Sequence, residues 1–218
     1  MSEIITRLLE LDTCAVSDAL DSLGLPPAVA GLTPLTFARR IAGRVVTVKL
    51  VPGKPKTASV RHLGTAAIEA ATPGDVIVIE HPGVECAGWG GVLSVGAIER
   101  GVAGVVIDGP ARDIDEARAL DFPVYARSAI SRTARGRVYE ADYNCRIAIG
   151  GIGVEPGDFC LADGSGVVFI AAAQIDPVLR RARRIAERER LMIEALRAGE
   201  RITDVVGRDY EAMLGDLD

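Results

Sequence analysis

Three features of the 218-residue sequence predict an α/β fold. A buried-strand signal, VIVIE (76–80), leads through a glycine-rich loop and a helical segment, VLSVGAIERG, into a second apolar strand, AGVVID (103–108). That β–loop–α–β order implies a right-handed parallel crossover. After residue 120 the chain turns to short β-rich segments separated by glycines, and helical segments stand at both ends.

Taken in order, ITRLLELD and VSDALDSLG predict two short helices, the second ended by Gly24 and the pair Pro26–Pro27. GRVVTVKLV (43–51) alternates and is rich in β-branched residues, which predicts a strand. HLGTAAIEAA (62–71) has helical composition, and TPGD (72–75) turns the chain into VIVIE. Gly101 suits the C-cap of the helix after the glycine loop. VYARS, CRIAIGG, DFCLAD and GVVFIA read as short strands. A charged helix from about 177 to 198 and a tail helix near 208–214 close the chain. No linker or repeat divides it, so residues 1–218 are expected to form one domain with a C-terminal helical arm over about 177–214.

Composition narrows the partners. A chain that is 49% hydrophobic can bury a full core. A net charge of −5 argues against nucleic acid or an anionic membrane as the main partner. There is no 18-residue apolar run to span a bilayer, and MSEIITRLLELD lacks the apolar core of a signal peptide. Cys14, Cys86, Cys145 and Cys160 form no C-x-x-C pair, so reduced thiols and a cytoplasmic location are expected rather than a zinc site. His62 and His81 are the only histidines, which leaves little material for histidine-based chemistry.

Three constellations carry chemical meaning. DGPARD lies at the carboxyl end of a buried strand, where open α/β sheets bind ligands. Arg112 offers a planar fork for a carboxylate or phosphate, and Asp113 a hard oxygen suited to Mg²⁺ or Mn²⁺. The same residues fit a plain capping box, with Asp113 as N-cap and Glu116 at N3. Next, Gly88-Trp89-Gly90-Gly91 opens a helix, where bare N–H groups and the dipole can hold a carboxylate or a developing enolate. Alternatively it is a turn with Trp89 covering the core. Last, the closing helix has an apolar stripe through Val178, Ala182, Ile185, Met192 and Leu196, and Glu189 falls on it. A buried lone carboxylate needs a partner, a metal or water, unless it marks the stripe's edge. Glu85 lies in the glycine loop with no fixed direction, while Asp108 and Asp115 are read as shaping the turn and starting the helix.

With DGPARD, GWGG-V-L and ADGSGVV in place, the sequence resembles the RraA-like proteins, which include 4-hydroxy-4-methyl-2-oxoglutarate aldolases that also decarboxylate oxaloacetate. The resemblance runs from VSDAL to LMIEALRAG. It implies a compact α/β/β/α sandwich that assembles as a homotrimer or homohexamer, with active sites at subunit interfaces. It assigns Arg112 to the carboxylate and keto oxygen of a small keto acid, and Asp113 to the divalent metal, Mg²⁺ or Mn²⁺. The amides of Gly90, Gly91, Val92 and Leu93 would hold the pyruvate unit, and Glu189 of a neighbouring subunit would orient metal-bound water. The implied chemistry is retro-aldol cleavage or β-decarboxylation through a stabilised enolate. One departure stands out: such enzymes commonly carry an acidic residue where this chain has Gly91, for which Glu85 is a candidate substitute. A non-catalytic regulator of the ribonuclease E regulator type, or a sugar-acid enzyme, is the alternative. Retention of Asp113 favours catalysis.

Overall fold

In the computed structural model, which describes residues 2–55 and 62–207, two helices come first. These are α1 (Glu3–Leu9) and α2 (Thr13–Ser22). Each starts where a side-chain oxygen accepts an otherwise orphaned amide hydrogen: Ser2 Oγ from Ile5 N at 3.4 Å, and Asp12 Oδ1 from Ala15 N at 2.8 Å. Then follow β1 (Thr33–Pro34), β2 (Ile41–Pro52), α3 (Thr65–Ala70), β3 (Val76–Glu80), α4 (Gly91–Glu99), β4 (Gly104–Ala111) and α5 (Ile114–Ala119). The second half contains β5 (Val124–Ala129), β6 (Val138–Tyr143), β7 (Ile147–Ile149), β8 (Ile152–Val154), β9 (Phe159–Asp163) and β10 (Gly166–Ile170). It ends with α6 (Ile175–Arg197) and α7 (Ile202–Val205).

Strand β2 ties the architecture together. Its Ile41–Arg44 segment pairs antiparallel with β9, while Val45–Lys49 pairs parallel with β3. The sheet order is β1-β5-β4-β3-β2-β9-β10, with β6 also on β2. An isolated bridge from Val29 to Val167 brings the two ends towards each other, so the sheet nearly closes.

Side-chain alternation then makes four layers. Ile77, Ile79, Val105 and Ile107 point outward beneath α3, α4 and α5. Val76, Val78 and Val106 point inward, against Cys160, Val167 and Phe169. Leu161, Val168 and Ile170 pack outward against α1, α2 and α6. This α/β/β/α arrangement buries both faces of β3 and β4, which is why VIVIE and GVVI read as unbroken apolar runs. Each such Ile or Val contributes about 1.5–3 kcal/mol on burial.

The crossover from β3 through α4 to β4 is parallel, as the sequence predicts. Other readings differ from the structure. β4 does not stop at Asp108 but runs through Gly109 and Pro110 to Ala111, shifting register against β5 between Ile107 and Pro110. The segment read as a turn is therefore the irregular end of a strand. Helix α6 begins at Ile175, because Pro177 in a first turn has no amide hydrogen to lose. β6, VYEADY, escapes the sequence reading because its pattern is mixed rather than alternating. The tail helix expected near 208–214 lies outside the described residues. No helix among the described residues is long and apolar enough to cross a membrane.

Asp163, 7% exposed, fastens the N-terminal helices to the β9–β10 hairpin. Its oxygens accept from Thr13 N (2.9 Å), Thr13 Oγ1 (2.7 Å) and Ser165 N (2.9 Å). Burial raises its pKa, but the bonds from Thr13 and Ser165 and the nearby Arg40 outweigh that and leave it lowered. A depressed folded-state pKa means this stabilisation is full above the ordinary value of 3.8 and is lost as pH falls through the folded value. We predict that Asp163→Ala lowers unfolding free energy by about 3 kcal/mol at neutral pH. Urea denaturation checks this; a loss below about 0.5 kcal/mol, the range of ordinary surface changes, would contradict it.

Candidate active site

The glycine loop and the end of β4 are laced together by main-chain bonds. Gly88 N donates to Pro110 O at 3.0 Å, and Arg112 N to Trp89 O at 3.0 Å. Ala87 N donates to Arg132 O at 2.9 Å, drawing in the segment after β5. Trp89 is buried, stacks on Phe122 with centroids 6.3 Å apart, and donates its indole N–H to Ser94 Oγ at 2.9 Å. Trp89 covers the core, as one reading of GWGG expects, and Gly90 and Gly91 open α4.

Asp113 sits in the left-handed region, φ 57° and ψ 40°, at the N-cap position of α5. Its side chain makes no capping bond, which corrects the capping-box reading. Instead Oδ2 accepts from Gly91 N at 2.9 Å and Oδ1 from Arg112 Nε at 3.0 Å. Burial pushes its carboxyl up, but the Gly91 amide and the Arg112 guanidinium outweigh that, so the pKa lies below the usual carboxylate value. The Gly91 amide is thereby directed to Asp113. Val92 and Leu93, also in the first turn of α4, have amides without intrahelical acceptors.

The small size of the glycines is used. A Cβ on Gly90 would lie 2.7 Å from Asp113 Oδ2, and one on Gly91 would overlap Glu116 Oε2. Glu116 thus places a carboxylate in the space where a side chain at 91 would begin. Sequence reasoning had given Glu116 to a cap; the available signal was its place one helical turn beyond Asp113. Glu85 does not fill this role. Its carboxylate is 82% exposed and pairs with Arg132 at 3.1 Å. Asp108 faces away, accepting from Arg127 Nε at 2.6 Å and Gly150 N at 2.7 Å. Asp115 is exposed and pairs with Arg118 at 2.9 Å.

Arg112, Asp113 and the loop from Ala87 to Leu93 line a cavity of about 250 Å³, completed by His62, Leu63, Thr133 and Ala134. His62 is the second residue missed from sequence, since nothing local ties it to this wall. Glu189 is not brought here within one chain. It is half-buried, and its carboxyl is pushed up by burial and by Asp12 and Asp18.

The donor set fits a hard divalent cation. Asp113 keeps lone pairs beyond its two accepted bonds, and Glu116 stands across Gly91. Among the described residues no three His, Cys, Asp or Glu groups cluster closely enough to enclose a metal. Two carboxylates with remaining water or substrate ligands suit Mg²⁺ or Mn²⁺ better than zinc.

An Aldolase/RraA family model, RraA-like, matches residues 13–169, which hold this whole site. The chain belongs to the RraA-like family. Among relatives of this RraA-like chain, a Halalkalibacterium halodurans protein provisionally named 4-hydroxy-4-methyl-2-oxoglutarate aldolase is 32% identical over 187 residues, 84% of this chain and 83% of that one. Legionella pneumophila protein DlpA is 28% identical over 91% of this chain, which spans only 32% of that protein's length. Among solved structures, a Pseudomonas syringae pv. tomato protein superposes with TM-score 0.84 at 31% identity, covering 94% of this chain and 96% of that one. Streptomyces coelicolor RraAS2, an unusual member of the RNase ES inhibitor RraA protein family, shares the RraA-like fold at TM-score 0.79 and 24% identity, over 88% of this chain and 96% of that one.

Proposed function

We propose that this chain is a divalent-metal-dependent lyase that cleaves a 2-keto dicarboxylate or related keto acid to pyruvate, by retro-aldol cleavage or oxaloacetate decarboxylation. The observation that carries this reading is the placement of Arg112 and Asp113 in one cavity at the N-terminus of α4, with the Glu116 carboxylate packed against Gly91 beside them. Aldolase names on relatives near 30% identity support the lyase class. The retained carboxylates favour catalysis over a purely binding role.

In this reading Arg112 grips the substrate carboxylate, and the Val92 and Leu93 amides face the keto oxygen as it gains charge. Asp113 and Glu116 hold Mg²⁺ or Mn²⁺, which when bound supplies Lewis-acid polarisation of the 2-keto group. Glu189 serves a neighbouring subunit's site in a trimer or hexamer. Four exposed apolar side chains, Val92 and Val95 beside the cavity and Leu191 and Ile193 on α6, support such an assembly. The setting is cytoplasmic.

The test is pyruvate release from oxaloacetate and from 4-hydroxy-4-methyl-2-oxoglutarate, with Mg²⁺ or Mn²⁺ and with chelator. No metal-dependent release from either would end the lyase reading. A sharper prediction concerns Glu116. Glu116→Gln weakens the apparent metal affinity about 10- to 100-fold. Gly91→Asp alone also impairs it through the clash with Glu116, and Gly91→Asp with Glu116→Ala recovers much of the loss. Metal titrations of activity decide; a double variant worse than either single one would refute the shared space.

A further inference from the structure

Resting on the lyase reading, we propose that His62 is a catalytic base of the retro-aldol step, accepting the C4 hydroxyl proton of the substrate. His62 Nδ1 lies 3.0 Å from Leu63 O. A carbonyl oxygen only accepts, so Nδ1 carries a hydrogen, and whenever the ring is neutral its lone pair is on Nε2.

The position of the ring matters as much as its tautomer. His62, Leu63, Thr133 and Ala134 line the Arg112–Asp113 cavity and also a second cavity of about 340 Å³. His62 therefore stands on the threshold between the two. Arg112 and Asp113 are the charged groups on one side, and Arg135, Tyr139 and Glu140 are the titratable groups on the other. With the keto-acid end held by Arg112 and the start of α4, C1 to C3 fill the first cavity. C4 falls at the threshold, and the departing fragment extends into the second cavity. Thr133, Arg135 and Tyr139 there offer polar contacts to its oxygens.

The step balances without a further reagent. Nε2 takes the hydroxyl proton, the O–H electron pair becomes the C4 carbonyl π bond, and the C3–C4 bond breaks. Its electrons pass to C3 and the 2-keto oxygen as pyruvate enolate. The imidazolium then releases its proton to water, and water protonates C3, as it does after decarboxylation. Decarboxylation of oxaloacetate has no hydroxyl proton to remove and so serves as an internal reference.

The experiment compares wild type with His62→Gln and His62→Ala. Pyruvate release is measured from 4-hydroxy-4-methyl-2-oxoglutarate and from oxaloacetate, with Mg²⁺. The ratio of aldol cleavage to decarboxylation is expected to fall about 100-fold in both variants. An unmoved ratio, or a parallel loss of both activities, overturns the assignment, as does a wild type that decarboxylates only. A wild type active on neither substrate removes the lyase reading and His62's role together. Independently, long-range ¹H–¹⁵N spectra of the two histidines should show opposite tautomers. His62 is protonated on Nδ1, whereas His81 Nδ1 accepts from Gly83 N at 3.3 Å and so carries its proton on Nε2. An Nε2–H tautomer at His62 would also overturn the proposal.

Discussion

Asp113→Asn is expected to lower metal-dependent pyruvate release by about 1,000-fold, roughly 4 kcal/mol of transition-state stabilisation, while the protein stays folded. Asparagine is the informative replacement because residue 113 has a positive φ, which Asn tolerates and Ala does not. Its amide oxygen can still accept the Gly91 amide, so the start of α4 keeps its contact. The negative charge disappears, and with it the strong pairing to Arg112 and the hard anionic oxygen for a cation. Arg112→Ala should differ in kind, raising KM more than it lowers kcat. Steady-state kinetics with a thermal melt check both. Full activity in both variants would show that the site lies elsewhere, even if the reaction is right.

Gly109→Ala is the second substitution with a large expected effect, and it acts through the strand. A Cβ at 109 would lie 2.6 Å from both Cβ and Nδ1 of His81, whose ring is buried against the same strand end. A side chain with 6% exposure has little room to retreat. We expect a loss of about 3 kcal/mol in unfolding free energy, the upper range for overpacking. Activity should fall beyond what stability explains, because Pro110 O and the Arg112 amide hold the glycine loop. His81→Gly, which removes the Cβ as well as the ring, should relieve the clash, so the double variant should lose clearly less than the two single losses added together. A double-mutant cycle with coupling below about 0.5 kcal/mol would contradict the contact.

The fold was largely legible because β3 and β4 are buried on both faces, so composition alone marked them. Helix starts were less legible: the segments read from Ile5 and Val16 begin at Glu3 and Thr13, where Ser2 and Asp12 cap. β6 was not legible, because it earns its place by pairing with β2 across a register shift rather than by its own pattern. At the site, Arg112 and Asp113 could be singled out from the strand end that carries them. What Asp113 does could not: a capping box and a site carboxylate share one local sequence, and only the approach of Gly91 separates them. Glu116 was misassigned for the same reason, and Glu85 was considered because chain proximity to the loop says nothing of direction. His62 joins the cavity across a long separation in sequence.

The left-handed backbone at residue 113 also bears on how such a chain changes over generations. Side chains that sit comfortably there are few, chiefly Gly, Asn and Asp. Asp and Asn codons differ by one base, so the cheapest drift at this position removes the charge and keeps the shape. A lineage taking that step would retain its core, its loop and its surfaces for other molecules, and lose only its reaction. One fold can thus pass between enzyme and inert scaffold without crossing a stretch of unstable intermediates.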